Sequence, residues 1–301
     1  MILISIPVHE KVEVVMDQIA NIRKFAPDSQ IVIHPAKQFV KSSNILDAVK
    51  DLEAVWVNSN PLYTGFGMVL KCHISNFQFA KKAKIPFTHF CLHSSNDLFV
   101  RSGVESYIRK YDFGFFHDDL PDGLDLFSHW KSDFEKDHAY QRIMRSICSP
   151  PTQCASQVEG TFYPREAFEN FARCYMRYAW REFSFFPGYV HGRILCLVHL
   201  LDKIAQTRKR RLLVGKYAYP REEFYPPNFF STICPSPAPP YCLMNWQTNL
   251  TVTTEDIETI RNGRIPTGEY RELFAVKRVN RDINDPLRKM IQALNTTPHT
   301  Q

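Results

Sequence analysis

No apolar stretch in this sequence reaches the roughly 18 to 20 residues that a membrane-spanning helix needs. The opening run Met1-Ile-Leu-Ile-Ser-Ile-Pro7 lacks the basic region and small-residue cleavage site of a secretory leader. It therefore reads as the first core strand of a cytoplasmic protein with no stable membrane insertion. The eight cysteines (72, 91, 148, 154, 174, 196, 234 and 242) fall at irregular spacings without a Cys-x-x-Cys pair. That pattern signals neither a zinc site nor a disulfide framework, so reduced thiols are expected. No convincing Asp-x-Asp motif is present either. Asp122-Gly-Leu-Asp125 has the wrong spacing, His117-Asp118-Asp119 falls in an expected loop, and Asn96-Asp97 offers one carboxylate. There is no internal repeat. Strong charge of one sign is also missing: +6 over 301 residues is modest, and Arg208-Lys209-Arg210-Arg211 is the one dense basic run. That run fits a solvated helix end better than a nucleic-acid interface, so no nucleic-acid partner is expected.

What is there is enough to fold. With 44% hydrophobic and 13% aromatic residues, the chain can bury a core of one sizeable domain or two coupled lobes. Ile2 to Ile6 is a continuous apolar run suited to a doubly buried strand, and Val12 to Phe25 carries apolar residues at helical spacing. Pro27-Asp28-Ser29 breaks that helix, and Ile31 to Ile33 makes a second buried strand, giving a βαβ unit. Ala54 to Val57 and Thr88 to Leu92 are further strands, with a helix over Val69 to Lys82 between them. In the second half, Val158 to Tyr163 reads as a strand and Arg165 to about Trp180 as a helix. Phe183 to Lys203 reads as a buried helix broken at Pro187-Gly188, and Pro235 to Pro240 as an extended linker. Thr253 or Thr254 caps a helix with acidic residues in its first turn. The fold class expected is α/β with a mostly parallel central sheet flanked by helices. Ligands of such sheets bind beyond the carboxyl ends of the strands, so His9, His34, Lys37 and the turn His93 to Asp97 should share one rim.

Two segments carry the chemistry. Glu222-Glu223-Phe-Tyr-Pro-Pro-Asn228 offers adjacent carboxylates, and Leu273-Phe-Ala-Val-Lys277-Arg278 offers adjacent cations. A hydroxyl that attacks must lose a proton, and a departing phosphate must be neutralised. The pair therefore points to group transfer from a nucleotide sugar. Taken singly, the carboxylates also fit a solvated turn before two prolines, and the cations a basic strand edge.

The order of these segments resembles the core-2/I-branching β-1,6-N-acetylglucosaminyltransferase family, which includes the peptide O-xylosyltransferases. Ile6-Pro-Val-His-Glu-Lys11 resembles its opening strand and turn, and Ile31-Val-Ile-His-Pro-Ala-Lys37 its second strand. Leu92-His-Ser-Ser-Asn-Asp97 resembles its Leu-Ser-Gly-x-Asp turn, and Gly160-Thr-Phe-Tyr-Pro-Arg165 its Gly-Ser-x-Trp strand. Glu222-Glu223 is similar to the segment that holds the family's general base. Asn245-Trp246, Thr253 to Ile257 and Leu273 to Lys277 are similar to its closing segments. The chain departs from the pattern at Pro35, where the family has Asp, and at Val276, where it has Arg. It also has a longer segment between Gly160 and Glu223, and neither the membrane anchor nor the disulfides of the animal enzymes. It looks like a microbial or viral relative.

The resemblance implies a single GT-A-like domain over 1–301, with a nucleotide-sugar half (1–115) and an acceptor and catalytic half (116–301). It implies an inverting, metal-independent transfer from a UDP-sugar, with GlcNAc or xylose donated to a glycan hydroxyl and no cofactor. Glu223 would be the base, with Glu222 as the fallback. Lys277 with Arg278 or Arg281 would clamp the diphosphate. Pro7, Val8, His9, His34, Lys37, Ser95, Asn96 and Asp97 would bind nucleotide and sugar. Glu159, Gly160, Thr161 and Trp246 would face the acceptor. The competing readings are a metal-dependent transferase using Asp118 and Asp119, and a non-catalytic nucleic-acid- or carbohydrate-binding protein.

Overall fold

A computed structural model describes residues 1–40, 43–62, 69–117, 137–147, 154–179, 220–244, 252–263 and 272–296. The first strand, β1 (Ile2–Val8), is buried along its whole length, and α1 (Val12–Phe25) follows it. Next come β2 (Gln30–Pro35), the short helices α2 (Lys37–Val40) and α3 (Ile45–Val49), β3 (Val55–Val57), α4 (Val69–Lys82) and β4 (His89–Leu92). These strands pair in parallel in the order β3-β2-β1-β4. The sheet is completed by β6 (Thr161–Pro164), which runs antiparallel to β4 and leads into α7 (Arg165–Tyr178). The expected α/β class with a mostly parallel central sheet is what the chain adopts.

Side-chain alternation builds one core on each face of that sheet. Leu3, Val32, Phe90, Leu92 and Tyr163 pack on α4 and α7 through Phe77, Phe168 and Phe171. Ile2, Ile4, Ile6, Ile31, Ile33 and Cys91 pack on α1 and on α5 (Val104–Lys110) through Val15, Ile19, Ile22 and Ile108. Strands covered on both faces need apolar residues at every position, which is why β1 shows no polar alternation except Ser5. Ser5 is bonded to Asn76 and His73 of α4, so its hydroxyl is satisfied.

A second, three-stranded sheet crosses the end of the first. It joins β5 (Leu98–Phe99) to β8 (Ala275–Val276) and β8 to β7 (Cys242–Leu243). A third core cluster lies beside it, where α9 (Thr254–Arg261) and α10 (Pro286–Ala293) bring Ile257, Ile260 and Ile291 against Leu98 and Val276. Thr253 caps α9 in a reciprocal capping box with Asp256.

Two segments differ from the sequence expectation. The strand at Val158 begins three residues later, at Thr161, because Gly160 sits at φ +80° and turns the chain first. Glu222 and Glu223 lie in the first turn of a helix, α8 (Arg221–Phe230), and not in a solvated turn. Pro226 and Pro227 lie inside that helix and remove the N–H groups that would bond the carbonyls of Glu222 and Glu223. The Ser156 N–H donates to the Glu223 carbonyl instead, at 2.9 Å. The remaining helix, α6 (His138–Ser146), is capped by Asp137, which also accepts from the Tyr225 hydroxyl of α8. The expected helix at Phe183 to Lys203 lies outside the described residues.

The Gly160 turn is also the tightest contact between the two sheets. A Cβ there would stand 2.5 Å from the backbone nitrogen of Cys242. Gly160→Ala should therefore lose about 2–4 kcal/mol of stability, from the left-handed φ and the backbone clash together. Urea unfolding of the two proteins measures it; an unchanged midpoint would show that the turn is slack.

Candidate functional site

The carboxyl ends of β1, β2 and β4 open onto one rim, and the segments singled out in the sequence gather along it. The Gly160 turn reaches the same rim from the antiparallel strand β6. Its backbone is fixed at both ends: Gly160 N–H donates to Leu92 of β4, and Tyr241 N–H donates to the Gly160 carbonyl. Gln157 Nε2 donates to the carbonyls of Glu159 and Cys242, at 2.6 and 2.7 Å. Glu159 is thus held rigidly while its side chain, 6% exposed, forms an ion pair with Lys277 at the end of β8.

Glu222 and Glu223 arrive at this pair on α8. Asn228 pins the helix by bonding the backbone of Cys154 in both directions, which ties it to the segment that leads into Glu159. Glu159, Glu222 and Glu223 each present one buried oxygen, Oε2, without a hydrogen-bond partner. Burial pushes the Glu222 carboxyl up to about 7, and the charge of Glu159 adds to the rise against hydrogen bonds from its own backbone and from the Leu70 N–H. Glu223 is raised well above the usual carboxylate range by burial, then by Glu222 and Glu159, with Lys277 and Arg278 opposing. Burial lowers the Lys277 ammonium, but Glu159, Asp97 and Glu223 outweigh it, so it holds its proton more tightly than a solvated lysine. The arrangement concentrates three carboxyl groups around one ammonium.

The neighbouring turn after β4 is largely used internally. Asp97 is fully buried and accepts from the Ser94 N–H and hydroxyl, at 2.8 and 2.5 Å, and its Oδ2 lies 3.1 Å from His93 Nδ1. His93 Nε2 is bonded in turn to the Tyr241 hydroxyl at 2.7 Å. Asn96 donates to the Val279 carbonyl and accepts from the buried Arg288, which also pairs with Asp17 of α1. Ser95 bonds Glu10 at 3.4 Å. Asn96 and Asp97 therefore shape the rim from inside, and Asp97 adds negative charge near Lys277.

Other residues of the expected nucleotide site divide by exposure. Pro7 and Val8 are buried in β1, and His9 beside them is half exposed, 3.5 Å from Glu10. His34 is fully buried. Its Nε2 accepts the Leu62 N–H at 2.9 Å and its Nδ1 lies 3.2 Å from the Asn58 amide. Burial, then the nearby Lys71 charge, lowers it to about 4, so it is a neutral strand-end histidine at physiological pH. Lys37 opens α2, with its backbone N–H on the Leu62 carbonyl. Arg281 pairs with Glu10 at 2.6 Å, and Arg278 adopts φ +72°. Thr161 is buried and its hydroxyl donates to Val158. Trp246, Asp118, Asp119 and Arg208 to Arg211 lie outside the described residues.

Sequence reasoning missed Glu10, Gln157 and Lys71. Glu10 directly follows His9, and its burial at a strand end was the available signal. Lys71 is 2% exposed in the first turn of α4, where burial lowers its pKa and the nearby Arg221 adds to that effect. Among the described residues no group of His, Cys, Asp and Glu has the geometry to hold a metal ion, and no helix is long and apolar enough to cross a membrane. The six described cysteines are free thiols.

No family model and no curated protein matches this sequence. Solved structures that resemble it include three of S. aureus TarS, all at 9% identity over 56% of this chain. Their TM-scores are 0.32, 0.33 and 0.32, and the match covers 29%, 46% and 48% of their chains, so this chain matches less than half of each. The second is a complex with UDP-GlcNAc. At those TM-scores the likeness carries no argument about this chain, and the site is read from its own geometry.

The raised Glu222 carboxyl has a measurable consequence. A carboxyl whose pKa is higher folded than unfolded takes up protons on folding, so its contribution to stability falls as pH rises from about 4.5 to about 7 and stays lost above that. Glu222→Gln removes the penalty while keeping an oxygen for the Leu70 N–H. Urea unfolding should find the variant more stable than wild type at pH 8, by up to about 3 kcal/mol, with no advantage at pH 4. An advantage that does not change with pH would show that Glu222 is ordinarily ionised.

Proposed function

We propose that this chain is a GT-A-like glycosyltransferase that moves a sugar, GlcNAc or xylose, from a UDP-sugar to a hydroxyl of a glycan or related acceptor, with inversion and without a metal. The observation that carries the reading is the convergence of Glu159, Glu222 and Glu223 on Lys277 at the carboxyl-end rim of a mostly parallel sheet. Such rims are where α/β sheets take ligands. An acceptor hydroxyl must give up its proton as it attacks, and a partly buried carboxylate with raised pKa is a stronger base than a solvated one. Glu223 suits that role better than Glu222. It is the more exposed of the two, and one oxygen of Glu222 is engaged by the Leu70 N–H at the start of α4.

On the leaving side, the β-phosphate gains charge as the glycosidic bond breaks. A fixed ammonium at that point stabilises the transition state more than the ground state. Lys277 is the cation nearest the carboxyl cluster. Arg278 follows it directly, and Arg281, 64% exposed, can add to the same field. Attack from the face opposite the diphosphate accounts for inversion. In this reading no ion takes part, so chelator should leave activity intact.

The decisive variant is Glu223→Gln, which keeps size and hydrogen-bonding reach but cannot accept a proton at neutral pH. Transfer should fall at least about 10²-fold while UDP-sugar affinity stays close to wild type. Near-normal transfer would move the base elsewhere. Lys277→Ala should lower kcat and UDP affinity together; an unchanged rate in a folded variant would place the clamp at Arg278 or Arg281. Thermal-shift assays should find UDP-sugars more stabilising than GDP-, CMP- or ADP-sugars, in the presence of chelator. Loss of binding in chelator would favour a metal-dependent transferase instead.

A further inference from the structure

Lys277 cannot serve an incoming diphosphate at full strength while it is paired with Glu159. The contact is direct, and among the described residues the other oxygen of Glu159 is buried and unbonded. The backbone of Glu159 is fixed by Gln157 and by the Gly160 turn, so the carboxylate cannot follow the lysine far. The charged groups around the pair are Glu222 and Glu223 on α8, which feel Glu159, Arg278, which acts on Glu223, and Asp97 on the turn after β4, which acts on Lys277. Arg221, at the start of α8, is committed to Asp137 at 3.1 Å. Among the described residues, acids thus outnumber the bases in this cluster.

We propose that Glu159 is a positioning residue that holds Lys277 in the empty site and hands it to the donor diphosphate, and that this handover draws protons into the Glu159–Glu222–Glu223 cluster. The proposal rests on the UDP-sugar reading above. When Lys277 turns to the diphosphate, the carboxyl groups lose their nearest positive neighbour and gain two negative charges close by. Both changes favour the protonated acids. A proton taken from solvent onto a carboxylate oxygen compensates, and the unbonded Oε2 atoms are where it can sit. Binding that takes up protons weakens as pH rises, by up to about tenfold per pH unit for one whole proton.

Isothermal titration of wild-type protein with UDP-GlcNAc and, in parallel, UDP-xylose tests this at pH 7 and 8 in buffers of different ionisation enthalpy. The diphosphate of a nucleotide sugar keeps both charges throughout this range, so any uptake reports on the protein. The expected result is uptake of about 0.5 to 1 proton per site and at least about threefold weaker binding at pH 8. Glu159→Gln frees Lys277 and removes one acid. It should bind the same donor at least about threefold more tightly at pH 8, with uptake at least about halved. A merely structural role for Glu159 predicts weaker binding in the variant and unchanged uptake, and that result would overturn the handover. So would donor binding by wild type without proton uptake, which needs no variant and leaves the transferase reading standing. Failure of wild type to bind either donor would remove that reading and the handover with it.

Discussion

The ion pair between Glu159 and Lys277 joins the two sheets at a place where the backbone of each is held by hydrogen bonds. Lys277 follows β8 and its N–H bonds Leu243, while Glu159 precedes β6 and is bonded through its carbonyl to Gln157. Between them, Gly160 touches Cys242 so closely that no side chain fits. The pair depends on that glycine: only a residue without a Cβ lets β6 start within contact of β7. The central sheet thereby delivers a carboxylate and the small sheet a cation to the same point. Asp97 is placed by the same junction, because the Tyr241 that follows the proline-rich segment donates its N–H to the Gly160 carbonyl and bonds His93 through its hydroxyl.

Burying that many acids is costly unless each finds a partner or a proton. Single pairing handles Glu159 and Glu10, through Lys277 and Arg281. Among the described residues no ion pair of that kind reaches Glu222 or Glu223, and burial, reinforced by the neighbouring carboxylates, raises both in pKa. They differ in this from the apolar residues buried on the same helix, Phe224, Tyr225, Phe229 and Phe230. The burial of Glu222 and Glu223 with unbonded Oε2 atoms leaves a cost that the folded chain carries at this point. The Asn228 bonds and the Ser156 N–H compensate locally by fixing a helix whose two prolines deny it part of its own ladder.

The sequence was most legible where local rules acted alone. The helices Val12–Phe25 and Val69–Lys82 end where apolar periodicity and the Pro27 break put them. The continuous apolar runs of β1 and β2 announced a sheet covered on both faces. Legibility failed where a single residue reset the chain: Gly160 delays β6 by three positions, and Pro226-Pro227 disguised a buried helix as a turn. The site was partly legible, since Glu222, Glu223 and Lys277 were marked by type and order. Their meeting with Glu159 was not, because the contact spans 118 residues and no local pattern records it. Likewise His34 and Asp97 were recognisable as rim residues, but whether their polar atoms face a ligand or the backbone is decided by Leu62 and Ser94, which carry no signal of that role.

The segment that carries the cations has its own support. Arg278 sits at φ +72°, a conformation that costs a side-chain-bearing residue about 1–2 kcal/mol. The strain persists because the chain is held on both sides of it. Before it, β8 is paired to β5 and β7; after it, the Val279 carbonyl accepts from Asn96, and the Asn280 carbonyl accepts from Arg288. Arg288 is itself fully buried and paired with Asp17 of α1, so the turn is anchored to the first helix of the chain. Over five positions the backbone therefore presents Lys277 to Glu159 and Arg281 to Glu10, two acids that flank strands β6 and β1 on either side of β4. A regular strand could not do this: residues 277 and 281 would share a face four positions, or about 13 Å, apart along one line. The left-handed residue folds that line back, and it is this bend that brings two cations to the mouth of one sheet.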